Sequence, residues 1–153
     1  MRQLHQKGFS LVELIVTVAI VSILVGLAMP LTRNTIKREK EVALRQALRE
    51  MRTAIDKFKE SSDRGLIQVK LGTEGYPESL DILVEGVPQI GAVDKKLKFL
   101  RRIPADPMTN STEWGLRAYQ DEPESTSFGG QNVFDVYTKS QGTALDGTNY
   151  KDW

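Results

Sequence analysis

The chain has 153 residues, with 21 Lys/Arg against 20 Asp/Glu and a formal net charge of +1. That length holds one domain plus an appendage. It contains no cysteine and one histidine, His5, which excludes disulfides and thiolate chemistry and argues against zinc, haem and histidine acid–base catalysis.

The first element is the run "KGFSLVELIVTVAIVSILVGLAMP", residues 7–30. As a helix, the roughly 21 residues from Phe9 to Met29 span on the order of 31 Å, the thickness of a bilayer core. Ser10, Thr17 and Ser22 are compatible with such a span because their hydroxyls can bond back to helix carbonyls. Glu13 is the anomaly, since a carboxylate in hydrocarbon costs roughly 2.5–3.5 kcal/mol on insertion scales. A removable secretory signal is the simpler alternative, with Arg2 and Lys7 as its basic region and cleavage after Gly26-Leu27-Ala28, before Met29. The apolar run is too long for that, exceeding the usual h-region of about 7–15 residues, and it contains Glu13.

Lys7-Gly8-Phe9-Ser10-Leu11-Val12-Glu13-Leu14 resembles the leader and processing site of type IV pilin-like proteins, the class III signal. The resemblance implies cleavage between Gly8 and Phe9 by a prepilin peptidase on the cytoplasmic side, then methylation of the new amino-terminal Phe9. Glu13 lies one helical turn from that amine, and pairing between neighbouring subunits relieves both charges and favours assembly in register. The competing reading is a glutamate that snorkels to a membrane face about 6 Å away. Arg33, Lys37, Arg38 and Lys40 follow the span closely, so charge counting leaves the orientation open. The processing motif implies a cytoplasmic amino terminus.

Pro30 is expected to end or bend the helix, with Gly26 loosening the turn before it. Beyond it Leu44, Leu48, Met51, Ile55 and Phe58 recur every three or four residues, one face of an amphipathic helix with Arg45, Arg49, Arg52, Lys59 and Glu60 elsewhere. The two halves make one stem from about Phe9 to Ser62, roughly 80 Å if straight. Gly65, Gly72, Gly75 and Tyr76-Pro77 mark a loop region, and Pro77 is expected in the first turn of a short helix carrying Leu80, Ile82 and Leu83. Lys95, Lys96, Lys98, Arg101 and Arg102 lack interleaved aromatics, so they read as a solvated face and no nucleic-acid partner is expected. Two strands are expected, Trp114–Tyr119 and Val133–Tyr137, joined by an acidic Pro/Gly/Ser-rich loop. Basic residues outnumber acidic ones from 33 to 64, and the reverse holds from 104 to 153. A basic stem and an acidic tail attract each other between copies, or the tail holds a cation, or both are ordinary solvated faces.

"GYPESLDIL", "FLRRIPADPMT", "WGLRAY" and "NVFDVYTKSQGTALDGTNYKDW" resemble the major pseudopilins of type II secretion systems. The resemblance implies an α+β, pilin-like fold: a long amino-terminal helix, membrane-spanning in its first half, packed on a small antiparallel sheet with a carboxy-terminal loop. It also implies calcium in that loop. Ser140, Thr143, Asp146 and Asp152 are the candidate ligands, with Asp135 just before them, although Gln141 stands where an acid would help and Asp146-Gly147 reads equally well as a turn.

The expected organisation is a leader over 1–8, a membrane and filament-core helix over 9–29 and a periplasmic globular part over 30–153. The expected function is that of a non-enzymatic subunit that polymerises into a pseudopilus for protein export. Glu13 would set register and Pro30 would give local flexibility. Expected partners are other copies, the prepilin peptidase, minor pseudopilins and the inner-membrane secretion platform, with the helix in the bacterial inner membrane. The rival readings are a type IV pilin or minor pilin of a surface-filament or DNA-uptake system, and a signal-cleaved periplasmic binding or enzyme domain.

Overall fold

A computed structural model of the chain describes residues 9–92 and 94–153, with the side chains of 26–33 outside the description. The chain divides into two compact units, Met1–Arg38 and Glu39–Trp153. One helix, α1 (Leu11–Asp63), supplies residues to both.

In the first unit, Leu11, Val12, Leu14, Ile15, Val16, Val18, Ile20, Val21, Ile23, Leu24 and Val25 are all exposed. A helix that is apolar on every side is stable only when something else covers it. The hydroxyls act as expected: Thr17 Oγ1 donates to Leu14 O at 2.8 Å and Ser22 Oγ to Val18 O at 2.8 Å. Among the described residues no helix is long and apolar enough to cross a membrane. The expected span over 9–29 runs into the undescribed side chains of 26–29. Pro30 does not end α1, whose helical assignment runs through it from Leu11 to Asp63. A proline removes one N–H and one intrahelical bond, and the turns on either side bridge that gap.

The second unit is built on the part of α1 from Glu39 onwards. The expected stripe is its core: Leu44, Met51 and Ile55 are fully buried, and Leu48 and Phe58 nearly so. Each such side chain contributes about 1.5–3 kcal/mol by transfer from water. They pack against Leu80, Leu83, Leu100, Trp114, Val133, Val136 and Tyr150.

The short helix α2 spans Leu80–Glu85, so Pro77 precedes it instead of opening its first turn. Ser79 occupies the N-cap position in extended conformation, and the Pro77 carbonyl accepts from Val133 N–H at 2.7 Å, tying the chain before α2 to the sheet. Gly86 ends α2 at φ 80, where a side chain would be strained and would press on the Leu97 carbonyl.

Among the described residues two small antiparallel ladders stand where one sheet was expected. β1 (Val87–Pro88) pairs with β2 (Lys96–Leu97), and β3 (Gly115–Arg117) pairs with β4 (Asp135–Tyr137) in the register Gly115↔Tyr137, Leu116↔Val136, Arg117↔Asp135. The expected strand Trp114–Tyr119 is shortened because side chains take over its backbone donors. Ala118 N–H goes to Asp121 Oδ2 at 2.7 Å, and Tyr119 N–H to Asn132 Oδ1 at 2.9 Å. Asp106, fully buried in the Pro104–Pro107 turn, accepts from Met108 N–H through Oδ1 and from the Thr138 hydroxyl through Oδ2. That turn is thereby fixed to the end of β4.

Candidate functional site

Two regions carry the sequence-identified residues, one at the start of α1 and one in the carboxy-terminal loop. Of the processing pair, Gly8 lies outside the described residues, while Phe9 precedes the helix and is exposed. Glu13 stands in the first turn of α1, an arrangement the positive end of the helix dipole favours. Its side chain is exposed and, among the described residues, makes no hydrogen bond or ion pair. The Ser10 carbonyl accepts the first helical bond, from Leu14 N–H at 3.1 Å.

The carboxy-terminal loop folds back on the stem. Thr143 and Asn149 form an antiparallel bridge, and a 3-10 turn over Tyr150–Asp152 closes the segment. Three stem residues hold it. Glu41, 7% exposed, accepts through Oε1 from Leu145 N–H at 2.8 Å and from the Tyr150 hydroxyl at 2.9 Å. Burial, and then this hydrogen bond to Glu41, pushes the Tyr150 phenol up to about 12. Arg45 lies 4.0 Å over the Trp153 ring and 3.5 Å from Asp146 Oδ2. Arg52 donates from Nε to Asp135 Oδ1 at 2.6 Å, and from Nη2 to Asp135 Oδ2, to the Val136 carbonyl and to the Trp153 main-chain oxygen at 2.7 Å. These residues recur at helical spacings that bring them to one side of α1.

Each of the four candidate calcium ligands makes contacts of its own within the loop, Thr143 through its bridge to Asn149. Ser140 Oγ accepts from Gly142 N–H at 3.3 Å. Asp146 Oδ1 accepts from both the N–H and the hydroxyl of Thr148, which hold its carboxyl below the usual carboxylate range, and its other oxygen faces Arg45. Asp152 Oδ2 accepts from Asn149 Nδ2 at 3.1 Å. Among the described residues no three His, Cys, Asp or Glu side chains are grouped to hold a metal ion. Calcium asks for six to eight oxygen ligands, and here the carboxylates are already engaged by N–H, O–H and guanidinium donors.

Arg45 and Arg52, read from periodicity as lying off the core face, are in fact part of the loop's attachment, and Glu41 was not singled out. Their only sequence signal is their shared spacing beside Leu44 and Leu48. Lys95, Lys96, Lys98, Arg101 and Arg102 are all exposed.

Residues 4–29 match the family model of the prokaryotic N-terminal methylation motif. The type II secretion system core protein G of Escherichia coli (strain K12) is 31% identical over 111 residues, covering 69% of this chain and 68% of that protein. The type IV major fimbrial protein FimA of Dichelobacter nodosus is 43% identical over 51 residues, a stretch that spans 33% of each protein. No solved structure matches the chain significantly. With a methylation motif at one end and likeness to core protein G over most of its length, the chain belongs to the family of type II secretion system core protein G, the major pseudopilins.

Proposed function

We propose that the chain is a structural subunit that polymerises through its amino-terminal helix into the pseudopilus of a type II secretion system. The observation that carries this reading is the start of α1: a helix apolar on every side, with one carboxylate in its first turn, inside a methylation motif. Such a surface needs a lipid or protein environment. The reading supplies both in turn, first the inner membrane and then the bundled helices of a filament. Prepilin peptidase would cut between Gly8 and Phe9, and Phe9 would be methylated. Residues 9–29 would span the membrane with the amino terminus cytoplasmic, and 30–153 would lie in the periplasm. Glu13 would pair with the Phe9 amine of a neighbouring copy, because two desolvated opposite charges are tolerable together and costly apart.

The reading assigns no catalytic residue, and the relatives are by name a secretion-system core protein and a fimbrial protein. Likeness to the core protein over 69% of the chain, against 33% for the fimbrial protein, favours the pseudopilus over a surface pilus. Minor pseudopilins and the secretion platform would be its further partners.

Mass spectrometry of the mature amino terminus tests the proposal. A chain starting at Phe9 with one added methyl group supports it. A chain starting at Met29 overturns it in favour of a secreted periplasmic domain.

A further inference from the structure

We propose that the carboxy-terminal loop of this chain is closed by the Arg45 guanidinium of the stem, standing where a relative with a calcium loop would use the ion. The contacts form a closed circuit. Arg45 covers the Trp153 indole at 4.0 Å, and Trp153 Nε1 donates to Thr148 Oγ1 at 2.8 Å. The Thr148 hydroxyl donates to Asp146 Oδ1 at 2.6 Å, and Asp146 Oδ2 faces Arg45 Nη2 at 3.5 Å. Each member touches the next, and Arg45 brings a positive charge from the same polypeptide to the Asp146 carboxylate.

The arrangement also explains why the loop has few acids. A calcium loop gathers several hard oxygen donors around one divalent charge. A guanidinium carries one charge on a planar group and prefers a carboxylate on one edge and an aromatic ring on one face. This loop offers that smaller set, one carboxylate and one indole. Gln141, standing where an acid would help a divalent ion, is exposed and makes none of the contacts of the circuit. The Arg45 guanidinium stands 3.5 Å from Asp146 Oδ2 and supplies the positive charge that this carboxylate faces.

The stem therefore holds the loop without help from the medium, and the subunit does not depend on divalent cations for its fold. This inference does not rest on polymerisation. It is tested on the full chain in detergent micelles by thermal melting followed through tryptophan fluorescence, with calcium chloride or a chelator added. The melting temperature is expected to be the same in both. Arg45→Ala and Arg45→Lys are each expected to lower it by a few degrees, because lysine cannot lie flat on the indole. Arg49→Ala, at an exposed position on the same helix, is expected to leave it unchanged. Loss of stability of the unsubstituted chain on chelation overturns the inference, as does an Arg45→Ala chain that melts with Arg49→Ala. The chelation arm stands even if an Arg45 variant fails to fold.

Discussion

Replacing Arg52 with methionine isolates the polar attachment that ties the stem to β4 and to Trp153. The guanidinium makes two hydrogen bonds to Asp135, one to the Val136 carbonyl and one to the Trp153 main-chain oxygen. Hydrogen bonds to charged groups contribute about 1.5–3 kcal/mol each, so a simple sum reaches roughly 6–12 kcal/mol. That sum is too large for this site. The Arg52 side chain is 37% exposed and that of Asp135 24%, so water replaces part of what is lost, and Arg117 stays 3.6 Å from Asp135. Methionine also keeps the buried methylene stem. The expected loss is about 2–3 kcal/mol, which for a domain near 100 residues lowers the melting temperature by roughly 8–12 °C. The assay is a thermal melt of the full chain in detergent, followed by tryptophan fluorescence, with Arg49→Met as an exposed control expected to change stability by less than about 0.5 kcal/mol. Asp135→Asn in the Arg52→Met background should cost less than in the parent chain, because the partners share one interaction. The reasoning fails if Arg52→Met melts with the control, or if the two substitutions simply add.

Three further outcomes are expected. Glu13→Ala should leave cleavage between Gly8 and Phe9 intact while filaments, observed by electron microscopy, no longer form; normal filaments would reject the pairing with a neighbour's amine. Gly115→Ala should cost about 1–3 kcal/mol, because its Cβ would press into the Tyr137 ring across the β3–β4 register, and that ring is held by Arg117 at 4.3 Å; denaturant melts that overlay the parent would show the ring is free to move. Tyr150, whose phenol is raised from 10.0 to about 12 by burial, stabilises the fold below pH 10 and loses that contribution as pH rises through 12. Two pH units correspond to on the order of 2–3 kcal/mol. Tyr150→Phe loses the hydrogen bond to Glu41 and should be less stable than the parent at neutral pH, with the gap narrowing above pH 10 because only the parent titrates; a gap that stays constant would exclude the phenol as the titrating group.

What was legible in the sequence divides by the range of the interactions involved. The Leu44–Phe58 stripe could be read because helical periodicity is local, and all five of its residues are buried. The hydroxyl bonds of Thr17 and Ser22 were readable for the same reason, being made within a single turn. The strands were placed correctly but drawn too long, because Asp121, three residues on, and Asn132, across the acidic loop, intercept the donors of Ala118 and Tyr119. β1 and β2 escaped notice because two-residue strands that include Pro88 and Lys96 carry no alternation to read.

The attachment of the loop was the least legible part, for a physical reason. Glu41 and Leu145 are 104 positions apart, Glu41 and Tyr150 are 109 apart, and Arg52 and Trp153 are 101 apart. Charged residues on a helix look alike in sequence whether they face water or a partner, because periodicity separates apolar from polar but not one polar role from another. Glu41, Arg45 and Arg52 border the same buried stripe that organises the core, so an apolar face and its polar margin act together as the docking surface for the chain's far end. Each group they engage, the Leu145 N–H, the Tyr150 hydroxyl, the Trp153 ring and oxygen and the Asp146 carboxylate in the loop, and the Asp135 carboxylate at the start of β4, is matched in charge or polarity. A loop held by so many contacts to one helix needs few acids of its own.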